Sequence, residues 1–350
     1  MKRALFTTLC VVIFLEIFLR IYNPFGFRIR GNEIILLQNK QFVITNDRTD
    51  KLDHPITHTK NSLGFRGPEL PDRPDNFTKI IAVGGSTTEG FYLSDGKTWP
   101  EQLGARLAQK RDDVWINNAG LDGHSTFGHT ILLEKNIVTL KPDVVLFLVG
   151  LNDIERSDLS DYEQTKIHSV KDVIRKAAEY SEVVSLGLNL YRSRVAGEIN
   201  VRHRPVDFNH PEYAAVSVID QDEAIARQTS YLASYRARLK HLIEITRAHH
   251  ITPVLITQPA MYGAGTDPAT GADLSRIKIS ETIDGATGWK ILEMYNTITR
   301  EISAEQGILL IDLAELMPKD STYYYDFVHF SNAGAARVAD IVFEKLPLTL

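Results

Sequence analysis

The sequence contains very little cysteine and no excess of positive charge. Its one cysteine, Cys10, excludes an intramolecular disulfide and a zinc site built from several cysteines. The formal net charge at pH 7 is −5, whereas binding to nucleic acid needs a basic surface. Internal repeats and low-complexity tracts are also missing. We therefore predict no nucleic-acid partner and no disulfide framework.

The overall composition is that of a folded protein. Charged residues make up 24% of the 350 residues, which excludes a disordered chain and a chain wholly embedded in a membrane. This length fits one large α/β domain with additions, or two domains of modest size.

The longest apolar run lies at the amino terminus, over residues 4–22. Nearly twenty apolar residues can just cross a hydrocarbon core about 30 Å thick. Glu16 interrupts the run, and Arg20 follows one helical turn later, so the two side chains can pair near the membrane surface. The alternative is that the charge within the span is functional. Because no small-x-small cleavage site follows, we predict that residues 1–22 are an uncleaved, single-pass membrane anchor.

Basic residues on both sides of this run bear on its orientation. Lys2 and Arg3 favour a cytoplasmic amino terminus, whereas Arg20, Arg28 and Arg30 favour the opposite orientation. Large domains translocate largely regardless of charge. We predict that the rest of the chain lies outside the cytoplasm, in the periplasm or at the cell surface.

Residues 23–78 are predicted to form an arm and linker. Residues 33–37 and 41–44 are typical of short strands, and the glycines of residues 61–67 suit turns. Three prolines then stiffen the chain before the next apolar run.

From residue 79 to residue 350, strand-like runs alternate with helix-like segments, which predicts a domain with a parallel sheet and crossover helices. The predicted strands are 79–83, 113–118, 143–149, 251–257 and 307–312, and the predicted helices are 100–110, 130–140, 289–306 and 332–346. Residues 155–247 break the alternation, and we predict that they form a largely helical insertion. A segment of this length between two core strands is a candidate lid or partner surface.

Polar residues that suit acyl transfer follow four of the predicted strands. Ser86 comes after two glycines at the end of the first strand, and Gly120, Asn152 and the pair Asp326 and His329 follow later strands. The carboxyl ends of parallel strands meet at one edge of the sheet, where open α/β proteins bind their ligands. The alternatives are local: Ser86, Asp326 and His329 could cap helices, and Asn152 could lie in an ordinary turn.

These residue types match the needs of ester hydrolysis. The Ser86 hydroxyl needs a base to take its proton, and His329 can do this near neutral pH. Asp326 lies three residues before His329 and can hold the imidazole in one tautomer. The Ser86 N–H, the Gly120 N–H and the Asn152 amide could stabilise the oxyanion of the tetrahedral intermediate.

The order Gly-x-Ser, Asn-x-Gly, Gly-x-Asn-Asp and Asp-x-x-His-Phe resembles the four blocks of the SGNH (GDSL-like) hydrolase family. The resemblance covers residues 79–153 and 251–346. It implies a three-layer α/β/α, flavodoxin-like fold and chemistry without a metal or cofactor. Gly85 departs from the pattern, because the name-giving motif has Asp at that position.

The resemblance also implies roles for individual residues. By position, it makes Ser86 the nucleophile, His329 the base and Asp326 its partner, with Gly120 and Asn152 as oxyanion donors. The anchor and the residues ahead of the core are similar to those of membrane-tethered bacterial members, which often act on acyl groups of envelope polysaccharides. The expected partner is therefore an acylated small molecule or polysaccharide.

Three neighbouring polar residues are given other roles. We expect Asp153 to hydrogen-bond nearby backbone instead of taking part in chemistry. His124 and His129 flank the second block, and we favour a solvated loop role for them over a place in the cleft.

Three functions remain open at this point. The first is a membrane-anchored serine esterase that removes acyl groups from carbohydrate. The second is an O-acyltransferase, which uses the same residues but passes the acyl group to a sugar hydroxyl and must shield the acyl-enzyme from water. The third is a catalytically silent binding or assembly protein on the same scaffold.

Overall fold

The computed structural model describes residues 2–21, 27–30, 33–47, 49–156, 174, 177–178, 180–188, 190, 203–214 and 217–347. The backbone packs into two compact units. One unit comprises residues 1–38 and 159–202, and the other comprises residues 39–158 and 203–350. The predicted anchor therefore shares a unit with part of the predicted insertion.

The strands are β1 (Phe27–Arg30), β2 (Glu33–Leu36), β3 (Lys40–Ile44), β4 (Ile56–Lys60), β5 (Thr78–Gly84), β6 (Val114–Asn118), β7 (Val144–Leu148), β8 (Thr252–Ile256) and β9 (Leu309–Ile311). The α-helices are α1 (Lys2–Ile21), α2 (Ser86–Glu89), α3 (Trp99–Ala108), α4 (Thr126–Leu132), α5 (Val218–Ala248), α6 (Gly285–Gln306), α7 (Leu313–Leu316) and α8 (Asn332–Lys345). Short 3₁₀ or π turns occupy Pro74–Asn76, Leu133–Ile137, Val138–Leu140, Leu151–Asp153 and Ser321–Tyr323.

Five parallel strands form the central sheet of the larger unit. Their order is β6-β5-β7-β8-β9, and every neighbouring pair is parallel. This is the flavodoxin-like order, in which the chain reverses direction along the sheet between β5 and its two neighbours. The prediction of an α/β fold with a central parallel sheet is confirmed.

Helices cover both faces of this sheet. The helix α3 packs against α8, and α5 packs against α4 and α6. Crossovers between parallel strands are right-handed, so connections that run in opposite directions along the sheet place their helices on opposite faces. The connection that carries α3 runs one way, and those that carry α4, α5 and α6 run the other way. The result is three layers, α/β/α.

The strands are apolar because both faces are buried. Along β7, Val144, Leu146 and Leu148 join the core that contains α3 and α8, whereas Val145 and Phe147 are fully buried on the opposite side. Alternate residues of a strand point to opposite faces, so a strand in the middle of three layers has no solvent-facing side. This explains why these strands are continuous apolar runs instead of alternating ones.

The predicted insertion contains one of the helices of the core. The 31-residue helix α5 lies between β7 and β8 in the chain and packs against β8, α4 and α6. It is therefore the crossover helix of a βαβ unit, although all of it except Ala248 lies within residues 155–247. The sequence did not indicate this role, because the outer face of α5 is polar along much of its length.

The smaller unit contains the helix α1 and the β1–β2 hairpin. Glu16 of α1 accepts hydrogen bonds from the N–H groups of Glu182 and Val183 and from the Ser181 hydroxyl (3.1 Å). Residues 182–188 are helical, so this carboxylate lies at a helix amino terminus, where negative charge is stabilised. The main partners of Glu16 are therefore these hydrogen-bond donors, whereas the sequence predicted a pairing with Arg20.

The structure does not support the predicted transmembrane span. The helix α1 forms over the predicted residues. Within the ranges that the structure describes, however, no helix combines the length and the hydropathy that crossing a membrane requires.

The predicted arm strands form, and they pair with two different strands. The strand β2 pairs with β1 in the smaller unit, and β3 pairs with β4 in the larger unit, both antiparallel. After β4, the fully buried Arg66 donates hydrogen bonds to the carbonyls of Glu89 (3.1 Å) and Leu93 (2.7 Å). The arm therefore holds the backbone that follows Ser86.

Candidate active site

Ser86 stands at the sharp turn between β5 and α2. Gly85 is the N-cap of α2 and Ser86 is its first residue, so Ser86 does not cap the helix. A Cβ at Gly84 would lie 2.2 Å from the Thr88 hydroxyl and 2.5 Å from the Leu148 carbonyl. Only glycine fits such a close approach of two backbones. Gly84 is therefore required by the turn that presents Ser86.

The turn brings Ser86 to His329, which is 243 residues away in the chain. The His329 Nε2 atom lies 2.7 Å from the Ser86 hydroxyl, and its Nδ1 atom lies 2.7 Å from the Asp326 carboxylate. Because a carboxylate can only accept, Nδ1 carries the hydrogen and Nε2 is left to accept the serine proton. The three side chains form a continuous chain of hydrogen bonds.

The Asp326 carboxylate is nearly buried but remains ionised. Its other oxygen accepts the N–H groups of Val328 (2.9 Å) and His329 (2.7 Å). Burial alone would raise the pKa of Asp326, but the His329 imidazole and these hydrogen bonds outweigh it and hold the pKa below its usual value. The cap of α8 is Ser331, whose hydroxyl accepts from the Gly334 N–H, so Asp326 and His329 are not capping residues.

The structure contradicts the expectation that Gly120 turns its N–H toward the cleft. This N–H donates instead to the buried Asn118 side chain at 2.9 Å. A Cβ at Gly120 would lie 2.3 Å from the Glu89 nitrogen. Glycine is therefore needed there because the loop packs directly on the backbone of α2, and not as an oxyanion donor.

The next glycine in this loop was missed. Gly123 has a φ of +69°, and its N–H has no acceptor among the residues described. The Ser86 N–H likewise has none within those ranges. An Asp-Gly pair favours a turn with positive φ, and this was the available signal. Two unpaired N–H groups in the loops around the serine suit a developing negative charge.

Asn152 lies directly against the serine turn. Its Nδ2 atom donates to the His124 carbonyl at 3.0 Å and would be 2.2 Å from a Cβ placed on Gly85. One of the two hydrogens on Nδ2 is thus engaged, and the other is left for a ligand. The same contact explains Gly85, since a side chain at that position would displace the Asn152 amide.

Asp153 forms a buried ion pair that holds the Asn152 turn. Its carboxylate accepts from the Thr126 N–H (3.2 Å) and hydroxyl (2.5 Å), and from Arg238 of α5 at 2.9 Å. The carboxylate does accept from a backbone N–H, but this group belongs to Thr126, 27 residues away, and not to the neighbouring residues that were expected. The partner from α5 was also missed. Asp153 and Arg238 are both almost completely buried.

His203 is a second residue that the sequence did not single out, although it lies within the predicted insertion. Its ring centroid is 3.9 Å from that of His329. Its Nδ1 atom lies 2.7 Å from the Tyr325 hydroxyl, and its Nε2 atom lies 3.3 Å from the Asp122 carboxylate. Because it lies in an irregular stretch, no spacing or motif marks it.

Three side chains that can bind metal ions, those of His203, Asp326 and His329, lie close together. Zinc would need an imidazole nitrogen with a free lone pair from each histidine. All four ring nitrogens already have hydrogen-bond partners inside the protein: Tyr325 and Asp122 for His203, and Asp326 and Ser86 for His329. These side chains fit a hydrogen-bonded chain better than a metal centre.

The expectation that His124 and His129 lie on a solvated loop is wrong, because both rings are buried. Burial lowers the pKa of His124 to about 3 and that of His129 to about 4. The same effect lowers the pKa of His58, in β4, to about 2. All three are therefore neutral in the folded protein at pH values where an exposed histidine is charged.

These histidines predict a protein that loses stability in mild acid. Unfolded histidine binds a proton below about pH 6.5. Between that pH and the folded-state pKa of about 4 for His129, the unfolded state binds more protons, so stability falls as the pH falls. Each such histidine contributes up to about 1.4 kcal/mol per pH unit. Urea unfolding at a series of pH values measures this slope.

The control for this prediction is an exposed histidine. His129→Gln should flatten the dependence on pH between 6.5 and 4, whereas His210→Gln should leave it unchanged, because His210 is exposed. A free energy of unfolding that is constant from pH 6.5 to 4.5 in the wild-type protein would contradict the prediction.

Comparison with known proteins identifies the family of this chain. The model of the GDSL-like Lipase/Acylhydrolase family matches residues 82–337. An arylesterase from Vibrio mimicus is 29% identical over 75 residues, which cover 21% of this chain and 38% of that protein. The match thus spans well under half of that relative.

Two solved structures of similar proteins are acetylxylan esterases. The enzyme from Geobacillus stearothermophilus has 15% sequence identity and a TM-score of 0.43, with 77% of this chain and 95% of that chain covered. A second acetyl xylan esterase has 16% identity and a TM-score of 0.44, with 77% and 100% covered.

The family match extends over more than half of the chain and includes Ser86, Asn152, Asp326 and His329. The chain therefore belongs to the GDSL-like lipase/acylhydrolase family of ester hydrolases.

Proposed function

We propose that this protein is a serine esterase in which Ser86 is the nucleophile, His329 the general base and Asp326 the group that orients the base. The observation that carries the proposal is the chain of two 2.7 Å contacts from the Ser86 hydroxyl through His329 to Asp326. A serine hydroxyl next to an oriented imidazole is activated for attack on an ester carbonyl.

The reaction follows from these positions. The Ser86 oxygen attacks the ester carbonyl while its proton passes to His329 Nε2, and the protonated imidazole then gives that proton to the departing alcohol. Water, deprotonated by the same imidazole, cleaves the acyl-enzyme and restores the hydroxyl. We assign the oxyanion to the Ser86 N–H, the Gly123 N–H and the Asn152 amide, because each has a hydrogen that is free to donate.

We propose acylated carbohydrate as the substrate class. The Tyr92 ring, which is partly exposed, lies 5.2 Å from His203 and so borders the side chains around His329. Sugar rings pack on aromatic faces of this kind, which supports a carbohydrate beside the proposed catalytic residues.

We propose further that α1 attaches the enzyme to a membrane through residues 4–22, with the catalytic unit outside the cytoplasm. Phe6, Phe14 and Ile17 are among the exposed apolar side chains of this helix. Alkaline carbonate extraction of the full chain, and of a variant that lacks residues 1–22, tests the attachment. Release of both into the soluble fraction would contradict it.

Labelling and product analysis test the proposed activity. A fluorophosphonate probe should label wild-type protein at Ser86, and acetylated oligosaccharides should release free acetate. Acetate found on an added glycan acceptor would instead indicate an O-acyltransferase. A wild-type protein that neither reacts with the probe nor releases acetate would be a binding protein, which would refute the proposal.

Asn152→Ala should lower kcat on p-nitrophenyl acetate by about 10²–10³-fold, because one oxyanion donor contributes about 2.7–4 kcal/mol to the barrier. KM should change little, since the oxyanion exists only in the transition state. The matched control is Asn209→Ala, which replaces an exposed asparagine and should retain wild-type kcat. An unchanged kcat together with a KM raised by a similar factor would assign Asn152 to substrate binding instead.

A further inference from the structure

His203 lies against the proposed base but belongs to none of the four blocks. Its ring is tilted by 34° to that of His329 at a centroid distance of 3.9 Å, which is stacking contact. The Tyr325 ring also lies beside His329, with a centroid distance of 5.7 Å and an angle of 13°. The His203 and Tyr325 centroids are only 6.4 Å apart, so the two rings contact His329 from adjacent sides, in addition to its two hydrogen bonds.

Both nitrogens of His203 are held. Burial raises the pKa of the Tyr325 hydroxyl, so this group is a neutral donor, and it lies 2.7 Å from His203 Nδ1. The Nε2–H can then donate to Asp122 at 3.3 Å. A neutral imidazole satisfies both contacts in one tautomer. A ring fixed at both nitrogens cannot rotate away from its neighbour.

The residues that hold His203 are hydrogen-bonded in turn to α2, the helix that carries Ser86. The Asp122 N–H donates to Glu89 at 2.6 Å, and Glu89 pairs with Lys60 at 2.7 Å. Glu89 is the last residue of α2, and its side chain and that of Lys60 are each only 6% exposed. One chain of polar contacts, buried at Lys60 and Glu89 and partly exposed at Asp122, therefore joins β4 and α2 to His203.

We propose that His203, held by Asp122 and Tyr325, is a positioning residue that fixes the orientation of the His329 imidazole toward Ser86. This inference rests on the proposed function, since it assigns His329 the role of base. Asp326 fixes the tautomer of His329 but holds it at one atom only. Stacking by His203 restrains the remaining freedom, which is rocking of the ring about the Asp326 contact.

The charged groups around His203 favour its observed position. The titratable groups that face His203 are Asp122, Tyr325, His329 and Asp326, with Tyr92 and Glu89 beside them. Burial lowers the pKa of His203, but Asp122 outweighs it and raises the pKa above its usual value. The attraction between Asp122 and His203 therefore adds to the hydrogen bonds that hold the ring.

The test compares His203→Ala with His203→Phe, which keeps an aromatic ring but has no charge or polar contacts. With p-nitrophenyl acetate, His203→Ala should lower kcat by roughly ten- to a hundredfold, because the base is no longer held in its attacking geometry. His203→Phe should recover part of that loss. In both variants KM should change little, because His203 acts on the base and not on substrate binding. His210→Ala, an exposed histidine of the same segment, should change neither kcat nor KM.

Each outcome decides the proposal. A purely structural role would lower the melting temperature of His203→Ala and leave kcat of the folded enzyme unchanged, and that result would overturn it. If His203→Ala does not fold, Asp122→Asn carries the test, because it weakens the contact that holds His203, and wild-type kcat in this variant would likewise overturn it. Ser86→Ala separates this inference from the proposed function: activity that survives Ser86→Ala refutes the esterase, whereas wild-type kinetics in folded His203 variants refute only the positioning role.

Discussion

Ser86→Ala is expected to lower kcat on p-nitrophenyl acetate on the order of 10⁴–10⁶-fold, with the fold intact. The substitution removes one hydroxyl, which is 6% exposed at the end of β5 and lies 2.7 Å from His329. Without this oxygen no acyl-enzyme can form, and only weak catalysis by the oxyanion donors remains. Steady-state kinetics together with thermal melting measure both parts of the expectation.

His329→Ala should cost about as much as Ser86→Ala, and the double variant should cost no more than either single variant, because the two groups act as one unit. Ser230→Ala is the matched control, since it replaces an exposed serine of α5 and should leave kcat unchanged. Losses that multiply in the double variant would show that the two residues act independently, which would contradict the proposed chemistry.

Arg238→Met is expected to destabilise the protein by about 3–5 kcal/mol, because it leaves Asp153 as an unpaired charge in the core. Arg238 is 1% exposed and Asp153 is 0% exposed, and the guanidinium also donates to the Thr126 hydroxyl at 2.8 Å. Urea unfolding measures the loss. Because Asp153 holds the turn that carries Asn152, kcat should fall as well.

Two further variants sharpen this prediction. Arg236→Met removes a partly exposed arginine two residues earlier, whose partners are Glu301 and Glu305, and should cost about 1 kcal/mol or less. Arg238→Met combined with Asp153→Asn removes both charges and should recover much of the lost stability, since the amide can still accept from the Thr126 N–H. A double variant that is less stable than Arg238→Met alone would refute the unpaired-charge explanation.

Local sequence was sufficient to predict the sheet and the pairing of serine with histidine. Apolar runs that end in polar loops predict parallel strands, and the carboxyl ends of such strands converge on one edge whatever lies between them in the chain. For this reason Ser86, Asn152, Asp326 and His329 could be placed together, although Ser86 and His329 are 243 residues apart. The glycines before Ser86 also indicated a turn, because few residue types fit a tight turn.

Other features depended on contacts that no local pattern encodes. Gly120 and Gly123 are three residues apart in one loop, and only the packing of Gly120 on α2 decides which N–H remains free. In the sequence, Arg238 is one of many charged residues in a long helix. Only the packing of α5 in the folded chain brings it to Asp153.

The residue pattern thus determined the α/β fold, the edge of the sheet at which the polar side chains meet, and the identity of the serine, histidine and aspartate. The folded chain alone decided which amides face that edge, which charges are buried in pairs, and that His203 stacks on the base. The physical reason is that strand formation and turn geometry depend largely on neighbouring residues, whereas burial and stacking depend on segments brought together from distant parts of the chain.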